Sequence, residues 1–239
     1  MAELALIGEK DKKKLQEAIK NNHSIEIALF GRMAADEPSL NAEASAQIAH
    51  CISTHEAFNE YDYYTAADDM KSREESTGAG MIGTVEFNSA TLYRYATIAA
   101  HELHNQLSRN PQALSEAVRE FARAFITSMP TGKQNTFANR TLPDALMVTI
   151  RKDQPINMAG AFEVPINASA YGGYIEASIK ALNHYAQRVY GSFAREPDKT
   201  YVIGVGLEEL GSKVNVNTLL SILLSILAED MGSIFNENQ

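Results

Sequence analysis

A single cysteine, Cys51, stands among 239 residues, and tryptophan is absent. One thiol has no intrachain partner, which excludes a disulfide scaffold. No uninterrupted apolar run reaches the ~18 residues that a membrane-spanning helix needs, and no charged-then-apolar leader opens the chain. A soluble, cytoplasmic protein without a membrane partner is expected. Basic residues are also in deficit, with 21 Lys and Arg against 30 Asp and Glu and a net charge of −9. That balance argues against a simple cationic nucleic-acid binder. Internal repeats and Pro- or Ser-rich linkers are missing as well. What is present, 45% hydrophobic and 21% charged residues, suits a globular chain with a real core and excludes disorder over the whole length. The length allows one elaborated domain or two small ones.

Charge is distributed unevenly. From Thr131 to Lys152 the basic residues Lys133, Arg140, Arg151 and Lys152 meet only Asp144. From Glu56 to Ser76 the acids Glu56, Glu60, Asp62, Asp68, Asp69, Glu74 and Glu75 meet only Lys71 and Arg73. An anionic ligand would therefore find one favourable segment and one unfavourable one.

Hydrophobic periodicity predicts helices over Glu9–Lys20, Ala42–Ile52, Pro111–Ser128, Tyr174–Tyr190 and Asn217–Glu229, with Asn41 as an N-cap and Pro111 in a first turn. Alternation predicts strands over Ser24–Phe30, Thr84–Ile98, Ala145–Arg151 and Thr200–Val205. From His55 to Ala90 the texture changes to clustered tyrosines, acids and glycines, which reads as a hairpin or long excursion. The sum is one α+β body carrying that excursion.

Several short constellations suggest chemistry. His101-Glu102-Leu103-His104 resembles part of a zinc helix and opens the reading of a zinc-dependent hydrolase. In a metalloprotease helix, however, the histidines stand four apart so that both face one way. Here they stand three apart with no third ligand close in sequence, and two partly exposed histidines in a short helix is the plainer reading. Thr131-Gly132-Lys133 has the Gly and Lys of a phosphate loop, but Gln134 stands where Ser or Thr would bind the nucleotide's metal. The segment is either a phosphate-chain contact or a surface turn. Tyr61, Tyr63 and Tyr64 suit base stacking, although packing under a hairpin is the leading expectation. Asp68-Asp69 reads as a solvated turn, and Cys51 as a small core residue in a helix.

Four segments in order are more specific than any of these: Ile27-Ala28-Leu29-Phe30-Gly31-Arg32-Met33, Gln47-Ile48-Ala49-His50-Cys51-Ile52-Ser53-Thr54-His55, Asp62-Tyr63-Tyr64-Thr65-Ala66-Ala67-Asp68-Asp69 and Gly83-Thr84-Val85-Glu86-Phe87-Asn88-Ser89-Ala90-Thr91-Leu92-Tyr93-Arg94-Tyr95-Ala96. Together they strongly resemble the CasC family, the repeating backbone subunits of the type I-E CRISPR Cascade. Pro130-Thr131-Gly132-Lys133-Gln134-Asn135-Thr136-Phe137 and Asn157-Met158-Ala159-Gly160-Ala161-Phe162-Glu163 continue the match, which runs from Ser24 to about Tyr190.

The resemblance implies an RRM-like (ferredoxin-like) palm, a β-hairpin thumb and a helical fingers region. On that frame residues 1–54 are the end of the fingers and the return into the palm, 55–90 the thumb, and 91–239 the remainder of the palm. Family members carry a further strand and helix in front, so a fragment, half of a split protein or a product of internal initiation is expected, with an incomplete palm. The implied function is non-enzymatic: polymerising along crRNA and holding the guide for pairing with target DNA, beside neighbouring copies and other Cascade subunits, with no cofactor or metal. Met33 and Tyr64 match positions that wedge beside a displaced guide base, and Lys133 and Gln134 match a loop along the guide backbone. Arg32, beside Met33, joins them as an RNA-binding candidate. An oligomerising fragment without RNA binding is the structural alternative.

Overall fold

The computed structural model describes residues 23–66, 81–170 and 172–234. In chain order the elements are α1 (Ile25–Phe30), a 3-10 turn (Pro38–Leu40), β1 (Ala46–Ile48), β2 (Ile52–Ser53), β3 (Glu60–Ala66), β4 (Met81–Phe87), β5 (Leu92–Tyr93) and β6 (Ala96–Ile98). Then come α2 (Ala100–Gln106), α3 (Pro111–Thr127), α4 (Gln134–Phe137), β7 (Ala145–Ile150), a second 3-10 turn (Ala159–Phe162), α5 (Ile175–Ser192), β8 (Lys199–Gly204), β9 (Ser212–Lys213) and α6 (Val216–Ile234). The class is mixed α+β. Among the described residues no helix is long and apolar enough to cross a membrane. The described residues fall into two compact units, one within Met1–His50, Tyr95–Ile156 and Ala194–Gln239, the other within Cys51–Arg94 and Asn157–Phe193.

In the first unit, α3 organises the packing. Pro111 occupies its first turn, where the missing N–H costs nothing, and the Asn110 side chain accepts from the N–H groups of Gln112 and Ala113. Leu114 and Ala117 enter one apolar cluster with Ala28, Leu29, Ala46 and Leu103. One helix end further on, Ile126 joins Leu219 and Leu223 of α6 in a second cluster, against Leu146 and Val148 of β7 and Tyr201 and Ile203 of β8. Strand β7 runs antiparallel to β8 with Leu146 opposite Ile203 and Val148 opposite Tyr201. Directly opposed residues share a sheet face, so these four present one apolar side to the helices. Strand β9 adds in parallel to β8, and β1 pairs antiparallel with β6.

In the second unit β3 and β4 form an antiparallel hairpin from Glu60↔Phe87 to Ala66↔Met81, and β2 pairs with β5 at its root. The second 3-10 turn packs on α5, so closely that a Cβ on Gly160 would collide with the Tyr185 ring.

Three expectations are overturned locally. Ser24–Phe30 is a helix instead of a strand. Ser24 caps it, and the neighbours Ala28 and Leu29 are both buried, whereas a strand would send them to opposite faces. Ala42–Ile52 is no helix: its Ala-rich propensity yields to pairing of β1 with β6 and β2 with β5, and Asn41 accepts from the Ala34 N–H instead of capping a helix. Thr84–Ile98 divides into β4, β5 and β6. The strands at 145–150 and 199–204 and the helices at 111–127, 175–192 and 216–234 follow the sequence pattern. The Glu9–Lys20 helix and the Asp68-Asp69 turn lie outside the described residues.

Leu114 is fully buried where α3 meets α1 and α2. Leu114→Ala should cost about 2–5 kcal/mol in urea unfolding, the usual range for a buried leucine whose cavity relaxes only partly. A loss below about 1 kcal/mol would show that this cluster does not hold the first unit together.

Candidate nucleic-acid interface

Arg32 and Met33 follow α1 in the first unit. Gly31 ends that helix at φ 76°, and a Cβ there would meet the Ala42 carbonyl oxygen at 2.7 Å, so only glycine allows the two segments to run this close. Arg32 and Ala42 exchange both backbone hydrogen bonds, at 2.8 and 2.9 Å. The Arg32 guanidinium then donates from Nε and Nη2 to the Leu40 carbonyl at 2.9 and 2.6 Å. Arg32 therefore closes the loop that displays Met33, which is 87% exposed on an open cleft of about 410 Å³ lined by Phe30–Met33 and Asn41–Ala44.

Lys133 and Gln134 lie between α3 and β7 of the same unit. Lys133 has left-handed backbone angles (φ 58°) and Ala138 does too (φ 49°), on either side of the single turn α4. Non-glycine residues pay roughly 1–2 kcal/mol for that conformation. The turn is closed by Phe137 N–H to the Lys133 carbonyl and Ala138 N–H to the Gln134 carbonyl, both 3.0 Å. Lys133 is exposed and Gln134 partly so. Among the described residues Lys133 has no carboxylate within ion-pair distance.

Tyr64 belongs to the hairpin of the second unit. It faces Gly83 across the strands, and its ring lies where a Gly83 side chain would be. An aromatic ring over a cross-strand glycine covers bare backbone, and Tyr64 keeps 43% of its surface open. Tyr61 and Tyr63 are still more exposed, so the expected packing of this cluster beneath the hairpin is corrected. The alternation that suggested a buried face belongs to a two-stranded ribbon that covers neither tyrosine.

The zinc reading loses its geometry. His101 is exposed, with Glu102 at 3.5 Å, while His104 is buried; burial, more than Arg109 beside it, drives the His104 pKa down. The expectation of two partly exposed histidines is thus half wrong, and the pair does not open toward one ion. Among the described residues no group of three metal-ligating side chains exists. Cys51 is also corrected: it is exposed, because its segment is extended.

His55, which the sequence marked only as the end of a motif, proves central to the second unit. The Thr91 N–H donates to its Nε2 at 3.0 Å, which places the ring proton on Nδ1, facing the Glu56 carbonyl at 2.7 Å. Its ring stacks on Tyr174 at 3.7 Å. Beside it, buried Thr54 donates its N–H to the Thr91 carbonyl and accepts from the Ile166 N–H, and Thr54 Oγ1 lies 2.8 Å from Ser178 Oγ. These bonds tie the hairpin's root to α5 and the loop before it. A buried histidine beside a strand end leaves no periodic signal in sequence.

The second unit thus exposes three tyrosines on its ribbon, and the first exposes a methionine on a braced loop and a lysine on a turn with left-handed backbone. The model of the CT1975-like protein family matches residues 2–223. The chain belongs to that family, the CasC family of type I-E Cascade that the sequence motifs resemble. One similar solved structure is described as "CRISPR RNA-guided surveillance complex, pre-nicking", with 30% identity and a TM-score of 0.78 over 89% of this chain and 59% of that one. Another, "CRISPR RNA-guided surveillance complex", has 31% identity and a TM-score of 0.73 over 88% of this chain and 83% of that one. The chain thus spans about three fifths of the first of these. Curated protein sequences contain no match.

His55→Ala would leave the Thr91 N–H without its acceptor in a partly buried site, at a cost of about 1 kcal/mol. Amide exchange at Thr91 should accelerate, and the hairpin amides should exchange faster with it. Unchanged protection at Thr91 would show that the imidazole does not hold the root.

Proposed function

We propose that the chain is a crRNA-binding, polymerising backbone subunit of a type I-E Cascade surveillance complex, holding guide RNA for pairing with target DNA in antiviral defence. The observation that carries this reading is the family match across nearly the whole chain together with the likeness to two surveillance-complex structures at about 30% identity. In this role the protein catalyses nothing. Guide pairing supplies sequence specificity, and the protein reads shape and backbone.

In this reading residues 55–90 form the thumb, whose ribbon is β3 and β4. Residues 1–54 close the fingers region and return into an RRM-like palm, and 91–239 complete that palm. Met33 and Tyr64 serve as wedges beside a displaced guide base. Both present apolar surface that nothing in their own unit covers fully, and a base leaving its stack loses a few kcal/mol unless such a surface replaces its neighbour. Lys133, on its braced turn, neutralises a guide phosphate. Arg32 supports the site by holding the Met33 loop through Leu40. The partners are crRNA, target DNA through the guide, neighbouring copies and other Cascade subunits.

Co-expression with and without a crRNA, followed by sizing and the 260/280 nm absorbance ratio, tests the proposal. Large, RNA-rich particles that form only with crRNA support it. RNA-free oligomers of the same size in both cases would overturn it in favour of self-association alone.

Lys133→Ala should weaken RNA binding about equally for all sequences and lower the salt slope by about 0.7, the share of one single-strand phosphate. A loss confined to particular guides would mark a base contact instead. Tyr64→Ala should weaken assembly on RNA by about 1–3 kcal/mol, or roughly 5- to 150-fold, with the free protein's melting unchanged, whereas Tyr64→Phe stays near wild type because the ring face does the stacking. Lower melting of Tyr64→Ala with unaltered assembly would restrict Tyr64 to covering Gly83.

A further inference from the structure

Among the described residues, five cations are held against carboxylates. Arg151 donates to both oxygens of Asp153 at 2.7 and 2.8 Å with its side chain almost wholly buried, and this bond holds the Asp153 carboxyl below its ordinary pKa. Arg119 and Arg123 share Glu120, Lys180 pairs with Glu176, and Lys213 with Glu208. Arg140, like Arg32 on the Leu40 carbonyl, is held by a neutral acceptor. Its Nη2 donates at 2.9 Å to the side-chain oxygen of Gln134, a neutral acceptor, and among the described residues it has no carboxylate within ion-pair distance. An amide oxygen holds one arm of the fork and removes none of its charge. A guanidinium carries five N–H donors in a fixed plane, so the others remain available to a ligand on this exposed side chain.

The backbone makes this contact possible. Ala138, left-handed, reverses the chain after α4, and the Arg140 N–H closes the reversal on the Ala138 carbonyl at 2.8 Å. Arg140 is thereby brought back onto Gln134, the residue next to Lys133. The stretch 131–143 contains these two cations and no acid. Left-handed backbone at a non-glycine residue persists only where its surroundings enforce it, and such residues cluster at ligand sites.

We infer that Arg140 is a second RNA-phosphate ligand of this loop and that Gln134 is its positioning residue, acting through the guanidinium and not through RNA itself. The inference rests on the proposed RNA-binding function and adds to it a ligand outside the motif, together with a new role for Gln134. Two cations at the ends of one turn can engage the polyanion together, with the fork of Arg140 reaching two oxygens of one phosphate.

The test is a double-mutant cycle on the full chain, with binding to a labelled single-stranded oligouridylate measured across a salt series. Circular dichroism melting checks that each variant folds. Arg140→Ala should lower the salt slope by about 0.7, as one lost phosphate contact does. Gln134→Ala should weaken binding less than Arg140→Ala while leaving the slope in place, because the charge remains. In the Arg140→Ala background, Gln134→Ala should have no further effect, since its target is gone. Gln134→Glu should imitate Arg140→Ala by neutralising the guanidinium in place. If Gln134→Ala weakens binding equally with and without Arg140, Gln134 touches RNA directly and its positioning role is overturned. If Lys133→Ala lowers the slope and Arg140→Ala does not, the second phosphate contact is overturned while the RNA-binding reading stands. Absence of salt-dependent binding by the wild-type chain would overturn both.

Discussion

Both apolar clusters of the first unit depend on one helix. Leu114 and Ala117 of α3 close the cluster around α1, α2 and β1, and Ile126, near its other end, closes the cluster against α6 and the β7–β8 sheet. Burying a leucine-sized side chain is worth about 1.5–3 kcal/mol, and both clusters draw such side chains from α3. Joined through α3 they form one framework. The loop carrying Lys133 and Arg140 leaves the buried end of this helix and enters β7 directly. Both anchors contribute residues to the second apolar cluster, Ile126 from α3 and Leu146 and Val148 from β7, and a turn with two left-handed non-glycine residues is held between them.

Much of this framework was legible in sequence. The helix at 111–127 has a proline in its first turn, an Asn cap and a clean apolar stripe, three independent signals that agree. The strands β7 and β8 are runs of apolar and β-branched residues whose pairing then follows. Where local signals conflict, tertiary pairing decides. The segment 42–52 is rich in alanine yet lies extended because β6 and β5 supply its hydrogen-bond partners. Ser24–Phe30 alternates over too few residues to separate a half-buried strand from a short helix, and the burial of both Ala28 and Leu29 selects the helix.

The candidate site was legible in a different sense. Motif resemblance named Met33, Tyr64, Lys133 and Gln134 as candidates, and the structure shows the loop, ribbon and turn that carry them. Nothing in the spacing of residues told that Arg32 would spend two donors on the Leu40 carbonyl, or that Gln134 would turn to Arg140. Both contacts arise from chain reversals, one enforced by Gly31 and the other by left-handed Ala138. Hydrophobic patterning is blind to such reversals because it records faces, not the path between elements. His55 escaped for the same reason, since its partners Thr91 and Tyr174 stand far from it in sequence.

A net charge of −9 can coexist with a polyanionic ligand because recognition of a phosphate is local. At physiological salt the Debye length is about 8 Å, so exposed charges farther than that from a phosphate scarcely affect it. What matters is the charge left uncompensated within that radius. The chain uses its acids to neutralise Arg119, Arg123, Arg151, Lys180 and Lys213, all of them outside the turn between α3 and β7. On that turn a carbonyl-closed backbone and a neutral amide do the holding that carboxylates do for those five cations. An acid at position 134 could hold Arg140 as well but would cancel its charge; in the inferred role of Arg140, glutamine there supplies order and leaves the charge in place, a distinction that total composition does not record.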